Sequence, residues 1–435
     1  MVLWQQYLQI MVIYCLGGVP MSFAEMVKEY RYKANLSISE LAELTGLNRS
    51  VLARIESGET RRPSFSTCCK IASALDIPYD KIISFYLGVS ERPETLKMLL
   101  SEAVVRTNRH IVRKTANKLL ETPRLNTFLA LDYILQQARE SENEEIKLAL
   151  YNVMIECTKK RGIPFYLAKG LFERYLIERY DFSRLEETYR RGKELLVYIE
   201  YLQPSERIIA YYRLGLQAYA LKYFDDCIHL CRQGIAEDVT ESELKASALL
   251  AITNSYINMG DCILAELYLK KYVNNPFANA NRTKYYLAQI HVKKGEFSEG
   301  IAGFKECLVE AERESRIAIA TDLLEVYQQI GDHEGIEDLI KKEEQFLPQQ
   351  INTPKKVEHL ALYYKQKGLH QLANEMFEEG IENLIQSASY YQKLGAFAYV
   401  NECIGSIFVA HRQFGKVLSE GIMEMLEKLC QRNCK

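Results

Sequence analysis

"LNRSVLARIESGETRRP", Leu47 to Pro63, decides how the rest of the chain is read. It carries five basic or amide side chains, Asn48, Arg49, Arg54, Arg61 and Arg62, on a short amphipathic run that Gly58 interrupts and Pro63 closes. Val51, Leu52 and Ile55 recur at helical spacing as an inner stripe, which leaves Arg49, Ser50, Ala53 and Arg54 facing outward. Asn48 stands where an N-cap belongs and Gly58 where a helix stops. Just upstream, "ISELAELTG" predicts another helix, with Leu41, Ala42 and Leu44 on its inner side and Gly46 at its end. Two helices joined by a short glycine-containing turn form a helix-turn-helix. Its second helix presents arginines able to grip guanine O6 and N7 as a bidentate fork, and its N-terminus with the Asn48 amide suits a phosphate oxygen.

The flanks extend the pattern. Phe23, Met26, Val27 and Tyr30 predict a preceding helix, and "STCCKIASALDI" and "YDKIISFYL" two following ones, making five short helices between Ser22 and Leu87. The stretch from Leu36 to Ile77 resembles the phage-repressor type of helix-turn-helix. It does so through Leu41-Ala42, Gly46, Ser50, Ile55-Glu56, Gly58, Pro63, Ile71-Ala72 and Ala74-Leu75. The resemblance implies base contacts at Arg49, Ser50 and Arg54, with Arg61 and Arg62 along the backbone or minor groove, on double-stranded DNA. One departure is Ile38, where the family usually has a glutamine that buttresses the recognition helix.

Bulk composition places limits on the rest. A chain of 435 residues predicts about two to four domains. With 48% hydrophobic and 26% charged residues it has material for a core and is not a disordered chain. Its net charge of −2, from 55 basic and 57 acidic residues, gives no global attraction to nucleic acid or membrane. Even residues 21–90 hold only nine Lys or Arg against eight Asp or Glu, so DNA binding depends on how charges sort by face. The eleven cysteines include no CxxC pair and read as free thiols of a reducing compartment. Residues 1–20 are uncharged but broken by Gln5, Gln6 and Gln9; they read as a tail or a misassigned start before Met21, not as a signal or anchor. The expectation is a cytoplasmic protein without membrane association.

Beyond Val89 a unit of helix, tight turn and helix recurs. Gly260, Gly295, Gly331 and Gly368 mark successive turns 35, 36 and 37 residues apart, followed by small residues such as Ala265, Gly300 and Ala373. Lys222 takes the glycine position in the preceding unit, with Cys227 where Ala265 falls. The pattern is similar to the tetratricopeptide repeat, strongly over Ile209 to Ile381 and weakly outside. That resemblance implies a right-handed solenoid whose concave face is lined by the first helix of each pair. Positions about ten, six and two or three residues before each turn then face inward: Tyr212, Tyr219, Asn254, Asn258, Tyr285, Gln289, Glu325, Gln329 and Gln366. Amides offer both donor and acceptor to a peptide backbone, and tyrosines supply rigid amphipathic contact area.

The expected architecture is all-α. An extension (1–20) precedes a helix-turn-helix domain (21–88), then a helical linker with degenerate repeats (89–200) and a tetratricopeptide-repeat domain for sensing and dimerisation (201–435). Together the two halves resemble the peptide-pheromone receptors of Gram-positive bacteria and their phages. "ALLAITNSYINMGDCILAELYL" points within them to the arbitrium receptors of the lysis–lysogeny choice, with a peptide-binding asparagine at Asn254. The resemblance implies a homodimer that binds an operator and a short signalling peptide, needs no cofactor, and is not an enzyme. Walker, GxSxG and HExxH motifs are missing from the sequence, and its seven histidines are scattered. Two alternatives stay open: a scaffold that docks and inhibits a response regulator or kinase, and a repressor whose repeats only dimerise. The terminal "EMLEKLCQRNCK" is a candidate for self-association.

Overall fold

The computed structural model describes residues 22–89, 92–351 and 353–432; the uncharged extension, residues 1–20, lies outside them. Among the described residues the chain is all-helical, and it divides into two compact units, the first ending at Ile177 and the second beginning at Glu178.

The first unit opens with α1 (Phe23–Lys33), α2 (Ile38–Thr45), α3 (Arg49–Glu56), α4 (Phe65–Ala74) and α5 (Tyr79–Val89). Ser22 and Ser37 start α1 and α2 with capping boxes, each serine accepting from a backbone N–H while Glu25 or Glu40 reaches back. Gly46 ends α2 in the left-handed conformation, at φ 65°, which only glycine adopts freely. Val27, Leu41, Leu52, Ile55, Ile71 and Ile82 close the core. Leu44, expected on the inner side of α2, is instead 62% exposed. Thr45 turns inward in its place and returns its hydroxyl to the Leu41 carbonyl at 2.7 Å, which satisfies its polar atom inside the helix. Next come α6 (Pro93–Val105), α7 (Arg109–Glu121), α8 (Thr127–Glu140), α9 (Glu144–Arg161) and α10 (Pro164–Glu178). Leu96, Leu119, Ile134 and Met154 carry the same apolar cluster through them, so one core serves the whole unit.

The second unit begins with α11 (Leu185–Lys193) and continues as helix pairs. The pairs are α12 (Pro204–Ala220) with α13 (Phe224–Glu237), α14 (Glu243–Met259) with α15 (Cys262–Val273), and α16 (Ala280–Lys294) with α17 (Phe297–Glu310). After them stand α18 (Arg313–Ile330) with α19 (His333–Lys341), α20 (Pro354–Ala373) with α21 (Phe377–Lys393), and α22 (Phe397–Phe414) with α23 (Glu420–Arg432). Each pair packs on the next, as in tetratricopeptide-like repeats. Gly260, Gly295 and Gly331 make the expected turns at φ 80°, 82° and 72°, and Lys222 holds the equivalent place at φ 63°.

The fifth pair corrects the sequence reading. Gly368 is not a turn residue; it lies inside the 20-residue helix α20, and Glu375 makes the turn at φ 63°. Gly368 is small because α20 and α21 cross there: a Cβ on it would stand 2.7 Å from the Gly380 carbonyl oxygen. Turns and close helix crossings both select glycine, and spacing alone does not separate them.

Candidate DNA-reading helix and the inner polar face of the repeats

Helix α3 is clamped from below and free above. Leu52 and Ile55 are fully buried, and Val51 is half-buried, as its inner stripe requires. A buried ion pair fixes its end: Arg31 on α1 donates from Nε to Glu56 Oε1 at 2.7 Å and from Nη2 to Oε2 at 2.8 Å. The third arm of that guanidinium donates from Nη1 to the Leu36 carbonyl at 2.7 Å. The two side chains are 8% and 7% exposed, and such a bidentate fork fixes both position and angle. The Glu56 carboxylate drives the Arg31 pKa up, which holds the guanidinium in its charged form.

On the opposite side Arg49, Ser50, Ala53 and Arg54 are all exposed, as expected. Arg54 Nε lies 3.4 Å from the Ser50 carbonyl, so its guanidinium rests along the helix. Asn48 is the N-cap, yet its side chain makes no cap hydrogen bond, leaving an exposed amide at the positive end of the helix. The loop after α3 is tied down. Thr60 N–H donates to the Arg54 carbonyl at 2.9 Å, and the Tyr86 hydroxyl donates to the carbonyl of buried Pro63. Exposed Arg61 and Arg62 directly precede that anchor. Ile38, at the usual glutamine position, packs against the core and offers no hydrogen bond.

In the second unit several of the expected inner residues meet. The Asn254 side-chain N–H donates to the Tyr219 hydroxyl, and Asn258 Nδ2 donates to Asn254 Oδ1 at 2.9 Å. One pair further on, Tyr285 donates to Asp322 Oδ2 at 2.6 Å, and Gln289 Nε2 donates to the same oxygen at 2.7 Å and to the Tyr285 hydroxyl at 3.0 Å. Burial pushes Asp322 up to about 6, against the two hydrogen bonds that favour its charged form. Gln289 Oε1 is buried without a hydrogen-bond partner. Glu325 and Gln329 are exposed, one and two turns further along α18.

Two expected residues are placed differently. Tyr212 is fully buried, donates to Asp238 at 3.0 Å and packs over Gly234; it belongs to the seam between α12 and α13, with no surface left for a peptide. The inward place of Gln366 depends on a turn at Gly368. With the turn at Glu375 it falls mid-helix, 8% exposed, its carbonyl accepting from Gln328 at 3.1 Å and its Oε1 buried without a partner.

Sequence reasoning missed Tyr286, which stands beside Asn254, and Asp322 itself. Both stand nine residues before a turn glycine, Gly295 and Gly331, a position that the series of ten, six and two or three skipped. Among the described residues no helix is long and apolar enough to cross a membrane.

Residues 27–82 match the family model described as helix-turn-helix. The chain is similar to RghRB of Bacillus subtilis, an uncharacterized HTH-type transcriptional regulator. The two are 25% identical over 75 residues, covering 17% of this chain and 54% of that one. It is also similar to the HTH-type transcriptional repressor RghR of the same organism, 34% identical over 62 residues, covering 14% of this chain and 46% of that one. This chain therefore spans about half the length of each of these two relatives. Among solved structures, the apo form of the quorum sensor NprR from B. thuringiensis matches with a TM-score of 0.40 and 15% identity, covering 73% of this chain and 98% of that one. On the match and on the geometry of α1 to α5, residues 27–82 are a helix-turn-helix domain.

Proposed function

We propose that the protein is a sequence-specific DNA-binding transcription regulator whose operator binding is switched by a short peptide held on the inner face of its repeats. The observation that carries the DNA half is the free face of α3: three polar side chains, Arg49, Ser50 and Arg54, stand exposed above a buried clamp that orders the helix. An ordered helix carrying two arginines fits a major groove, where each bidentate grip on guanine contributes about 1–3 kcal/mol of discrimination. RghR, a repressor by its description, supports the same reading for this domain.

Tyr219, Asn254, Asn258, Tyr285 and Gln289 support the peptide half, because they gather donors, acceptors and flat apolar area on neighbouring helices. The regulator acts as a homodimer reading two half-sites about 34 Å apart. The peptide shifts the DNA-competent population by as much as its affinity differs between the two states of the repeats. The arbitrium type of lysis–lysogeny control is the narrower form of this reading.

The test is selection of genomic fragments by the purified protein, with and without the small-peptide fraction of its host's culture. Arg49→Ala and Arg54→Ala, combined, are expected to abolish enrichment of palindromic sites, and the peptide fraction to change it. Enrichment that survives the double substitution would remove α3 from the interface. Enrichment indifferent to peptides would leave a repressor whose repeats serve dimerisation, and none at all would favour docking of a protein partner.

A further inference from the structure

The first turn of the repeat array departs from the three that follow. Those use glycine at positive φ, but here Lys222 adopts φ 63°, a conformation that disfavours any side chain. The side chain at this costly position makes a long-range contact. Lys222 Nζ lies 3.3 Å from Glu358 Oε1, at the start of α20, and 5.7 Å from the centre of the Tyr399 ring on α22. One residue of the first helix pair thus touches the fifth and the sixth.

Among the described residues the other ion pairs of this unit lie within one helix or between neighbours, as Lys294 with Glu266, Lys284 with Glu306, Lys356 with Glu314 and Lys365 with Glu402. Lys355 holds the other oxygen of Glu358 at 2.9 Å. The extensive helix packing is also between neighbours, α12 on α11 and α14, α20 on α18 and α22. The Lys222 contact therefore runs across the array, where the stacked seams do not. It lies beside the inner polar cluster, since Tyr219 is one helical turn before Lys222 and feels both Tyr286 and Glu358. Both partners remain in touch with solvent, with side chains 57% and 32% exposed, so the contact is open to competition from ions or a charged ligand.

We propose that Lys222 is an ionic latch that closes the repeat array across its inner face by holding Glu358 and Tyr399. With the latch made, the first and fifth pairs are drawn together over Tyr219, Asn254 and Tyr286. With it broken, the stacked pairs are free to splay, and the polar cluster opens. The device stands whether or not the natural ligand is a peptide.

The test is small-angle scattering of the full-length protein without ligand, over a concentration series that separates assembly from shape. It compares the wild type, Lys222→Glu, Glu358→Lys and the charge-swapped double variant. In low salt the single variants, which set like charges together, are expected to show a larger radius of gyration, and the swap to restore the wild-type value. In about 1 M salt, where the Debye length falls to about 3 Å, all four are expected to converge on the larger value. A radius shared by all four at both salts would overturn the latch, as would failure of the swap to restore it. Circular dichroism checks that helix content is kept; if a reversal loses it, Lys222→Met and Glu358→Gln carry the same comparison. Because no ligand is present, failure here leaves the peptide-switch reading standing, and failure of that reading leaves the latch.

Discussion

Arg31 and Glu56 show what a buried charge does for a reading helix. Removing one partner leaves the other charged, buried and unpaired, which costs about 3–5 kcal/mol. Arg31→Ala is therefore expected to lower the stability of the first unit by that amount, read as a fall in its urea midpoint, although Arg31 lies outside the exposed face of α3. Asp322 makes the opposite kind of prediction. Its folded pKa, about 6, stands above the ordinary 3.8, so the fold favours its protonated form. Its contribution to stability is then fullest below pH 3.8 and is lost as pH rises through 6. Both donors go to one oxygen, so Asp322→Asn keeps an acceptor for each. The substitution is expected to stabilise by about 1–3 kcal/mol at pH 7.5 and to have little effect near pH 3.5, by thermal unfolding. Burial pulls His359 down to about 4 and makes stability fall on the acid side, but it is common to both proteins and cancels in the difference.

At the scale of elements, glycine has two jobs in this chain that spacing does not distinguish. Gly295 and Gly331 carry positive φ, and alanine at either is expected to cost about 1–2 kcal/mol. Gly368 carries a helix crossing, so Gly368→Ala is expected to destabilise by about 1–3 kcal/mol through overpacking against Gly380. Glu375 holds the turn that Gly368 was expected to make, and Glu375→Gly is expected to raise stability by up to about 1 kcal/mol. Denaturant midpoints of these variants test the assignment: a stabilising Gly368→Ala would argue against the close crossing at that residue, and a destabilising Glu375→Gly would mean that the fifth turn is elsewhere.

For the whole molecule, a net charge of −2 means that DNA affinity has no global field behind it. The salt dependence of operator binding then reports the local basic residues. Arg61→Ala with Arg62→Ala is expected to weaken binding similarly on all sequences and to reduce the slope of log K against log salt by about 2 per protomer. Arg49→Ala is expected to relax base preference as well, by about 1–3 kcal/mol at the affected position, in a competition assay with substituted operators. A slope unchanged by the Arg61 and Arg62 substitutions would take the loop off the phosphate backbone.

The sequence by itself determined the helical class, the helix-turn-helix, the outward face of α3 and the repeat period. Each is written in local signals: helix-ending glycines at 46 and 58, an apolar stripe at Leu52 and Ile55, glycines at 260, 295 and 331. It also brought Tyr219, Asn254, Tyr285 and Gln289 to light, because repeat spacing carries a face from one unit to the next. Only the tertiary structure decided that Tyr212 is buried, that Gly368 serves a crossing, that Asp322 lies under Tyr285 and Gln289, and that Lys222 meets Glu358. Burial depth and contacts between distant helix pairs depend on how the stacked pairs coil in space. Periodicity along the chain constrains neighbouring pairs and carries no information about which remote pairs meet.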